Sequence, residues 1–284
     1  MITVVIPLYN KERSILDTVH SVLAQTYKDF ELVIVNDGSK DNSLHVVQGI
    51  NDVRVVIVDK ENGGVSSARN AGILAAKNNY IAFLDGDDIW HPEHLGILAD
   101  SMKILDNDEI GGVGSSFYKS NSKEFDGSKF KREEAVIIDD YFNFMSSSAP
   151  RFNSSTLMVK KDKVLETGLF DEQLKYGEDV DFWYRLFSKY KLIYNKAVTT
   201  IYFIAAENRS VHYVMPLERR FHQFDYAGKT ASEKRYLDKL VALIVLDYFN
   251  QKAYKQAGII LKMYASRMVG VMLYFIGLIK KKLK

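Results

Sequence analysis

Tyr80-Ile81-Ala82-Phe83-Leu84-Asp85-Gly86-Asp87-Asp88 is the stretch on which the fold turns. Its first five residues form an apolar run of strand length, and the run ends in three carboxylates around one glycine. Toward the N-terminus, residues 2–7, 30–35 and 53–58 are apolar runs of the same kind. Residues 11–25 lie between the first two, with Ile15, Leu16, Val19, Val22 and Leu23 at helical spacing. Residues 41–50 and 66–77 also read as helices, the latter opened by Ser66 and closed near Asn78-Asn79. Strands that are nearly continuous apolar runs are buried on both faces, so this alternation predicts a parallel sheet covered by helices. Ligands of such sheets bind beyond the carboxyl ends of the strands. That rule selects four loops: 8–10, 36–39, 59–64 and 85–88.

Downstream the pattern is less regular. Residues 92–105, 139–145 and 178–190 read as helices, and 112–118, 155–159 and 192–204 as strands. Residues 120–131 form a polar loop, and after Pro216 the composition becomes helical and basic.

The 284 residues include 17 Tyr, 16 Phe and 2 Trp, enough large apolar surface to exclude disorder as a description of the whole. The absence of cysteine excludes disulfide scaffolds, zinc–thiolate sites, iron–sulfur clusters and cysteine nucleophiles for this chain. The N-terminal run lacks a basic segment before it and reads as a strand, not a secretion signal. The formal charge of +2 hides an asymmetry: residues 1–214 carry −7 and residues 215–284 carry +9. Two segments with two tasks are therefore expected, a catalytic domain over 1–214 and a basic helical extension over 215–284.

Four patterns carry chemistry. Crowded carboxylates repel one another unless a cation compensates, so Asp85, Asp87 and Asp88 suit a hard divalent metal; they equally suit a solvated turn before the next helix. Asp37 closes a strand ahead of Gly38 and Ser39, where its carboxylate can accept from a base or a ribose, although Asp-Gly-Ser is also a good turn. Asn62-Gly63-Gly64 precedes a helix that carries Arg69 one turn in, a combination of backbone N–H groups and a guanidinium suited to a nucleotide. Glu178 and Asp179 open a helix, where negative charge is favoured. In that helix Trp183 is either core or a flat face for a sugar ring.

Taken in order, these patterns resemble glycosyltransferase family 2. The residues that carry the resemblance are Pro7-Leu8-Tyr9-Asn10, Val35 to Ser39 with Asp41 and Ser43, Asn62-Gly63-Gly64 with Ala68-Arg69-Asn70 and Gly72, Asp85 to Asp88, Glu178-Asp179, and Asn208-Arg209-Ser210. They span about residues 1–212. The resemblance implies an α/β fold of the GT-A (nucleotide-diphospho-sugar transferase) type, a Rossmann-like mixed sheet with flanking helices, here with a C-terminal helical extension. It implies a UDP-sugar donor bound by Pro7, Tyr9, Asn10, Asp37, Asn62, Gly63, Arg69, Asp85 and Gly86, with Tyr9 stacked on the uracil. It implies a divalent metal, Mn2+ or Mg2+, held by Asp87, with His212 approaching it from the C-terminal side. Asp179 matches the catalytic base, supported by Asp88, Glu178 and Trp183. The expected enzyme is an inverting hexosyltransferase acting on a glycan or polyprenyl-diphosphate-linked glycan in capsule or O-antigen synthesis. A sugar nucleotidyltransferase or a non-catalytic binding relative are the alternatives; the first lacks its glycine-rich basic loop after the first strand.

The basic extension adds a partner. Residues 268–279 are an uncharged run of twelve, flanked by Lys262 and Arg267 before it and Lys280-Lys281-Lys282 and Lys284 after it. A span needs about 18 or more apolar residues, so the run suits an interfacial segment on an anionic membrane. The apolar run argues against nucleic acid. The expected location is cytoplasmic, peripheral on the inner face of the cell membrane.

Overall fold

The computed structural model describes residues 1–146, 152–207 and 214–282, the last five of these by their backbone alone. The chain falls into two compact units, Met1–Asp139 with Pro150–Ser210, and Asp140–Ala149 with Val211–Lys284.

The first unit begins with β1 (Ile2–Leu8), α1 (Ile15–Leu23), β2 (Phe30–Asp37), α2 (Ser43–Gln48), β3 (Val55–Lys60), α3 (Val65–Ala75) and β4 (Tyr80–Phe83). The short β5 (Ile89–Trp90), α4 (His94–Leu105), β6 (Ile110–Ser120) and β7 (Ala135–Ile138) follow. After α5 (Tyr141–Ser146), which belongs to the second unit, come β8 (Leu157–Lys160), α6 (Lys161–Thr167), α7 (Glu178–Phe187) and β9 (Lys191–Phe203). Among the described residues the nine strands form one sheet in the order β3-β2-β1-β4-β8-β6-β9-β5, and β7 also pairs with β9. The first four are parallel, as the alternation predicts. β8 runs antiparallel to both its neighbours, and β6 and β9 pair in parallel, so the sheet is mixed.

The parallel half is apolar over most of its length because it has two cores. Val4, Ile6, Leu32 and Ile34 pack on one side with Ile15, Val19 and Val22 of α1 and Leu95 and Leu98 of α4. Val33 and Val35 pack on the other with Ala68 of α3. Side chains alternate across a strand, so both sets must be apolar. Helix α3 approaches the sheet closely, since a Cβ at Gly72 would stand 2.3 Å from Val5 Cγ1.

In the second unit α5 is joined by α8 (Ala231–Asn250), α9 (Tyr254–Met263) and α10 (Met268–Lys282). Thr230 and Glu233 close a capping box at the start of α8. Tyr141 and Phe142 of α5 pack on Tyr236 of α8. Val241, Val245 and Tyr248 of α8 share a core with Ala257, Ile260, Tyr264 and Val271. Arg267 binds Asp238 at 2.7 Å, and α10 crosses α8 where a Cβ at Gly270 would stand 2.0 Å from Asp238 Oδ2. Val269, Met272, Leu273 and Ile276 remain exposed. Among the described residues no single helix is long and apolar enough to cross a membrane; α9 and residues 265–277 pass the length and composition test only as a pair bent by 74°.

Gly72→Ala should destabilise the chain by about 1–3 kcal/mol in chemical denaturation, the cost of overpacking a filled core. Val5→Ala in the same chain should recover part of that loss.

Candidate active site

The four loops at the carboxyl end of the parallel strands are tied to one another. Asn10, held at φ +51°, donates its N–H to Ser39 Oγ at 3.1 Å, and its Oδ1 accepts from the Lys40 N–H at 2.8 Å. Lys11 donates its N–H to Ser43 Oγ at 2.7 Å, so the loop after β1 is fixed on the loop after β2. The buried carboxylate of Asp37 then gathers the third loop. It accepts from Lys60 Nζ at 2.7 Å, the Gly63 N–H at 2.9 Å and the Gly64 N–H at 2.7 Å. Asn62 Nδ2 donates to the Asp37 carbonyl at 2.8 Å. Gly38 makes this possible, since its φ is +69° and a Cβ there would stand 2.8 Å from the Asn62 nitrogen.

The acidic turn after β4 is the fourth loop. Ser155, at the approach to β8, accepts from the Asp85 N–H at 3.1 Å and donates to Asp88 Oδ2 at 2.5 Å. Asp88 Oδ1 accepts from the Phe203 N–H at 3.1 Å. Gly86 lies against the first loop, where a Cβ would be 3.2 Å from the Pro7 carbonyl. Asp87 is paired with Lys11 Nζ at 2.7 Å.

Helix α7 is brought to this turn from the far end of the sequence. Gly177, at φ +78°, turns the chain into it. Arg185 anchors it from below, donating to the Gly168 and Leu169 carbonyls at 3.1 and 2.9 Å. Asn70 of α3 holds Phe170 by its N–H and carbonyl, each at 2.9 Å. The decisive link is Arg69, buried and forked between Asp85 Oδ1 at 2.8 Å and Glu178 Oε1 at 3.0 Å. One guanidinium thus joins the acidic turn to the first turn of α7, and Asp179 stands beside it.

The charges of this cluster are not at their ordinary values. Burial pushes the Asp179 carboxyl up to about 7, Glu178 adds to the rise, and Arg69 opposes it. The Val180 N–H also steadies the charged form, donating to Asp179 Oδ1 at 2.7 Å. Asp88 is driven well above the carboxylate range by burial and then by the negative field of Asp85 and Asp87. Burial works against the charge on Arg69, but Asp85, Glu178 and Asp179 outweigh it and hold the guanidinium protonated.

The donor set fits a divalent cation. Three carboxylates crowd one turn, and burial first, then the negative field of Asp85 and Asp87, raises the proton affinity of Asp88. Lys11 already places a cation on Asp87. Among the described residues no three His, Asp or Glu side chains form a complete metal cage. Mg2+-like cations usually take one or two carboxylates, with phosphates and water completing the shell.

The other expected residues are placed as follows. Tyr9 is half-buried at the end of β1, beside Asn10. Trp183 is core: it is 4% exposed and packs on Phe83, Phe170 and Phe182, offering no face to a sugar. Trp90 is also buried, with Nε1 donating to the Ser155 carbonyl at 2.6 Å. His212 and the segment 208–210 lie outside the described residues. Lys11 and Lys60 belong to none of the motifs. The available signal was charge: an acidic loop cluster at one sheet end requires cations, and the neighbouring loops carry Lys11 and Lys60.

Residues 3–167 match the family model described as glycosyl transferase family 2. An uncharacterised glycosyltransferase of Rickettsia prowazekii (strain Madrid E) is 32% identical over 192 residues, covering 66% of this chain and 58% of that protein. The glycosyltransferase GlyG of Streptococcus pneumoniae serotype 4 is 32% identical over 178 residues, 61% of this chain and 58% of its own. This chain therefore spans somewhat more than half the length of these relatives. Among solved structures, residues 1–349 of S. aureus TarS in complex with UDP-GlcNAc superpose with a TM-score of 0.58 at 18% identity, covering 94% of this chain and 72% of that one. The mannosyltransferase PcManGT of Pyrobaculum calidifontis, in complex with GDP-Man and Mn2+, gives 0.56 at 16% identity, covering 97% and 79%. The fold is thus the GT-A fold these structures share. The family match ends before α7, so Glu178 and Asp179 join the site by geometry.

Arg69→Met removes the shared cation and leaves two facing carboxylates. It should lower the free energy of unfolding by about 3–5 kcal/mol, the usual cost of breaking a buried pair. Arg69→Lys, which keeps the charge but loses the fork, should fall between wild type and Arg69→Met. Denaturant titration of the three proteins reads both.

Proposed function

We propose that this chain, which belongs to glycosyl transferase family 2, moves a hexosyl group from a UDP-sugar to a hydroxyl of a glycan or polyprenyl-diphosphate-linked glycan, with inversion, in the synthesis of a surface polysaccharide such as capsule or O-antigen. The observation that carries this reading is the fork of Arg69, which ties a turn suited to a diphosphate to a helix start suited to a base. The UDP-GlcNAc of the TarS complex supports a uridine donor, and the Mn2+ of the PcManGT complex supports a divalent metal.

In this reading Tyr9 stacks on the base, with Pro7 and Asn10 shaping its loop. Asp37, Asn62 and Gly63 line the base and ribose side, and Asp85 and Gly86 meet the ribose. Asp87 would hold Mn2+ or Mg2+, His212 is a further candidate ligand, and Asp88 supports the turn from beneath. What the cation supplies when bound is neutralisation of the charge that develops on the departing diphosphate. Asp179 accepts the proton of the acceptor hydroxyl as that oxygen bonds to the anomeric carbon and the bond to the diphosphate breaks on the opposite face. Glu178 and Arg69 keep Asp179 in place and set its proton affinity.

Two properties of Asp179 test the assignment. Asp179→Asn should abolish nearly all UDP release while UDP affinity changes less than twofold. In the wild type the base form is lost as pH falls through about 7, so kcat/KM should rise with pH and level off above it. Between pH 8 and 5.5 the drop should be about thirtyfold. A screen of UDP-sugars by UDP release supplies the assay, and release of pyrophosphate instead would favour a nucleotidyltransferase.

The second unit gives this enzyme a place to work, an anionic membrane on its cytoplasmic side. Val269, Met272, Leu273 and Ile276 of α10 and Ile259 and Met263 of α9 are exposed. No acid follows Asp247, while eight Lys and Arg do. Apolar side chains at the interface and basic residues near anionic headgroups both favour binding. Cutting the chain near Asp247 would remove Ala257, Ile260 and Tyr264 from their core, so surface substitutions are the cleaner probe. Replacing Val269, Met272, Leu273 and Ile276 by Ser should abolish flotation with phosphatidylglycerol vesicles, which the wild type should show; equal flotation of the two would contradict this role.

A further inference from the structure

The loop after β1 carries a cation that no step above uses. Lys11 Nζ donates to Asp87 Oδ2 at 2.7 Å and to the backbone carbonyl of Glu207. Its side chain is largely buried, and its backbone is fixed by the bond from its N–H to Ser43 Oγ. Glu207 is itself seated on the entry to α1, where Oε1 accepts from the Arg13 N–H at 3.0 Å and Oε2 from Ser14 Oγ at 2.6 Å. One ammonium therefore bridges the acidic turn and the chain leaving β9.

Among the described residues two cations are paired with this acidic turn, and they are not equivalent. Arg69 is forked between two carboxylates and is nearly inaccessible. Lys11 donates to one oxygen of Asp87 and to a neutral carbonyl from a flexible four-carbon stem, which is more easily redirected than a buried fork. Its ammonium lies where a metal bound to Asp87 would feel it directly, and like charges at such distances oppose each other strongly outside bulk water.

We propose that Lys11 is an internal counter-ion of Asp87 that competes with the divalent cation, and that the donor's diphosphate removes this competition by drawing the ammonium onto a phosphate oxygen. This rests on the reading of Asp87 as the metal-binding carboxylate. It makes Lys11 a positioning residue with two consequences. The enzyme without donor binds the metal weakly. Metal and nucleotide diphosphate bind with positive coupling, each raising the affinity of the other by one common factor.

The test is Mn2+ binding by the full chain, followed by electron paramagnetic resonance with and without UDP, in wild type, Lys11→Met and Lys11→Arg. Lys11→Met should bind Mn2+ alone at least about tenfold more tightly than wild type, and Lys11→Arg should stay near wild type. The factor by which UDP tightens Mn2+ binding should shrink in Lys11→Met. Adding Asp87→Ala to Lys11→Met should erase the gain. A gain of affinity cannot arise from a damaged fold, so instability of the variant would not mimic it. If wild type binds Mn2+ in the presence of UDP but Lys11→Met binds Mn2+ alone no more tightly, the competition is disproved while the metal reading stands. If no protein binds Mn2+ even with UDP, the metal reading fails and takes this inference with it.

Discussion

The guanidinium of Arg69 lies between Asp85 at 2.8 Å and Glu178 at 3.0 Å, and the acidic turn and the start of α7 meet at that fork. Asp85 belongs to a turn at the end of a parallel strand, Glu178 to the first turn of a late helix. Without a shared cation these two, with Asp179 beside them, would be facing carboxylates in a poorly hydrated cleft, an arrangement that repels. With it, they are neighbours. The helix carrying Arg69 is placed by a close contact, Gly72 against Val5 of the central strand, and the next residue, Asn70, pins the chain at Phe170 ahead of α7. Packing in the sheet thus sets the position of a charge, and the charge sets the position of the site.

The site holds an excess of negative charge, and its groups divide that excess by environment. Asp88 is buried, which raises its proton affinity, and it is bonded to Ser155 and the Phe203 N–H as a scaffold of the turn. Asp87 carries a lysine. Asp179 titrates near neutrality because burial and Glu178 raise it against the pull of Arg69. Carboxylates in one cleft with proton affinities driven apart can take separate tasks, one binding cations and another moving a proton.

Much of this was legible in the sequence, and the reasons differ by element. The parallel half announced itself because β1, β2 and β4 are buried on both faces, leaving apolar runs between helical patterns. The acidic turn was legible because crowded carboxylates demand an explanation, and Asp37 because it closes a strand before a glycine. β5 and β7 are two and four residues long, too short for periodicity to reveal. Lys11 and Lys60 escaped because single lysines in loops are ordinary, and only the fold puts them on Asp87 and Asp37. The indoles of Trp90 and Trp183 were ambiguous in principle, since tryptophan serves cores and sugar faces alike. What assigns them to the core is burial against Ser155 in one case and an aromatic cluster in the other.

The most direct measurement of the central claim is a crystal structure of the full chain with UDP and Mn2+, located by anomalous scattering. The expected result is an Mn2+ peak bonded to the Asp87 carboxylate and the diphosphate, in one cleft with Asp179, and the Arg69 fork intact. Nucleotide bound at another surface, or a diphosphate separated from Asp179 by the body of the protein, would contradict it.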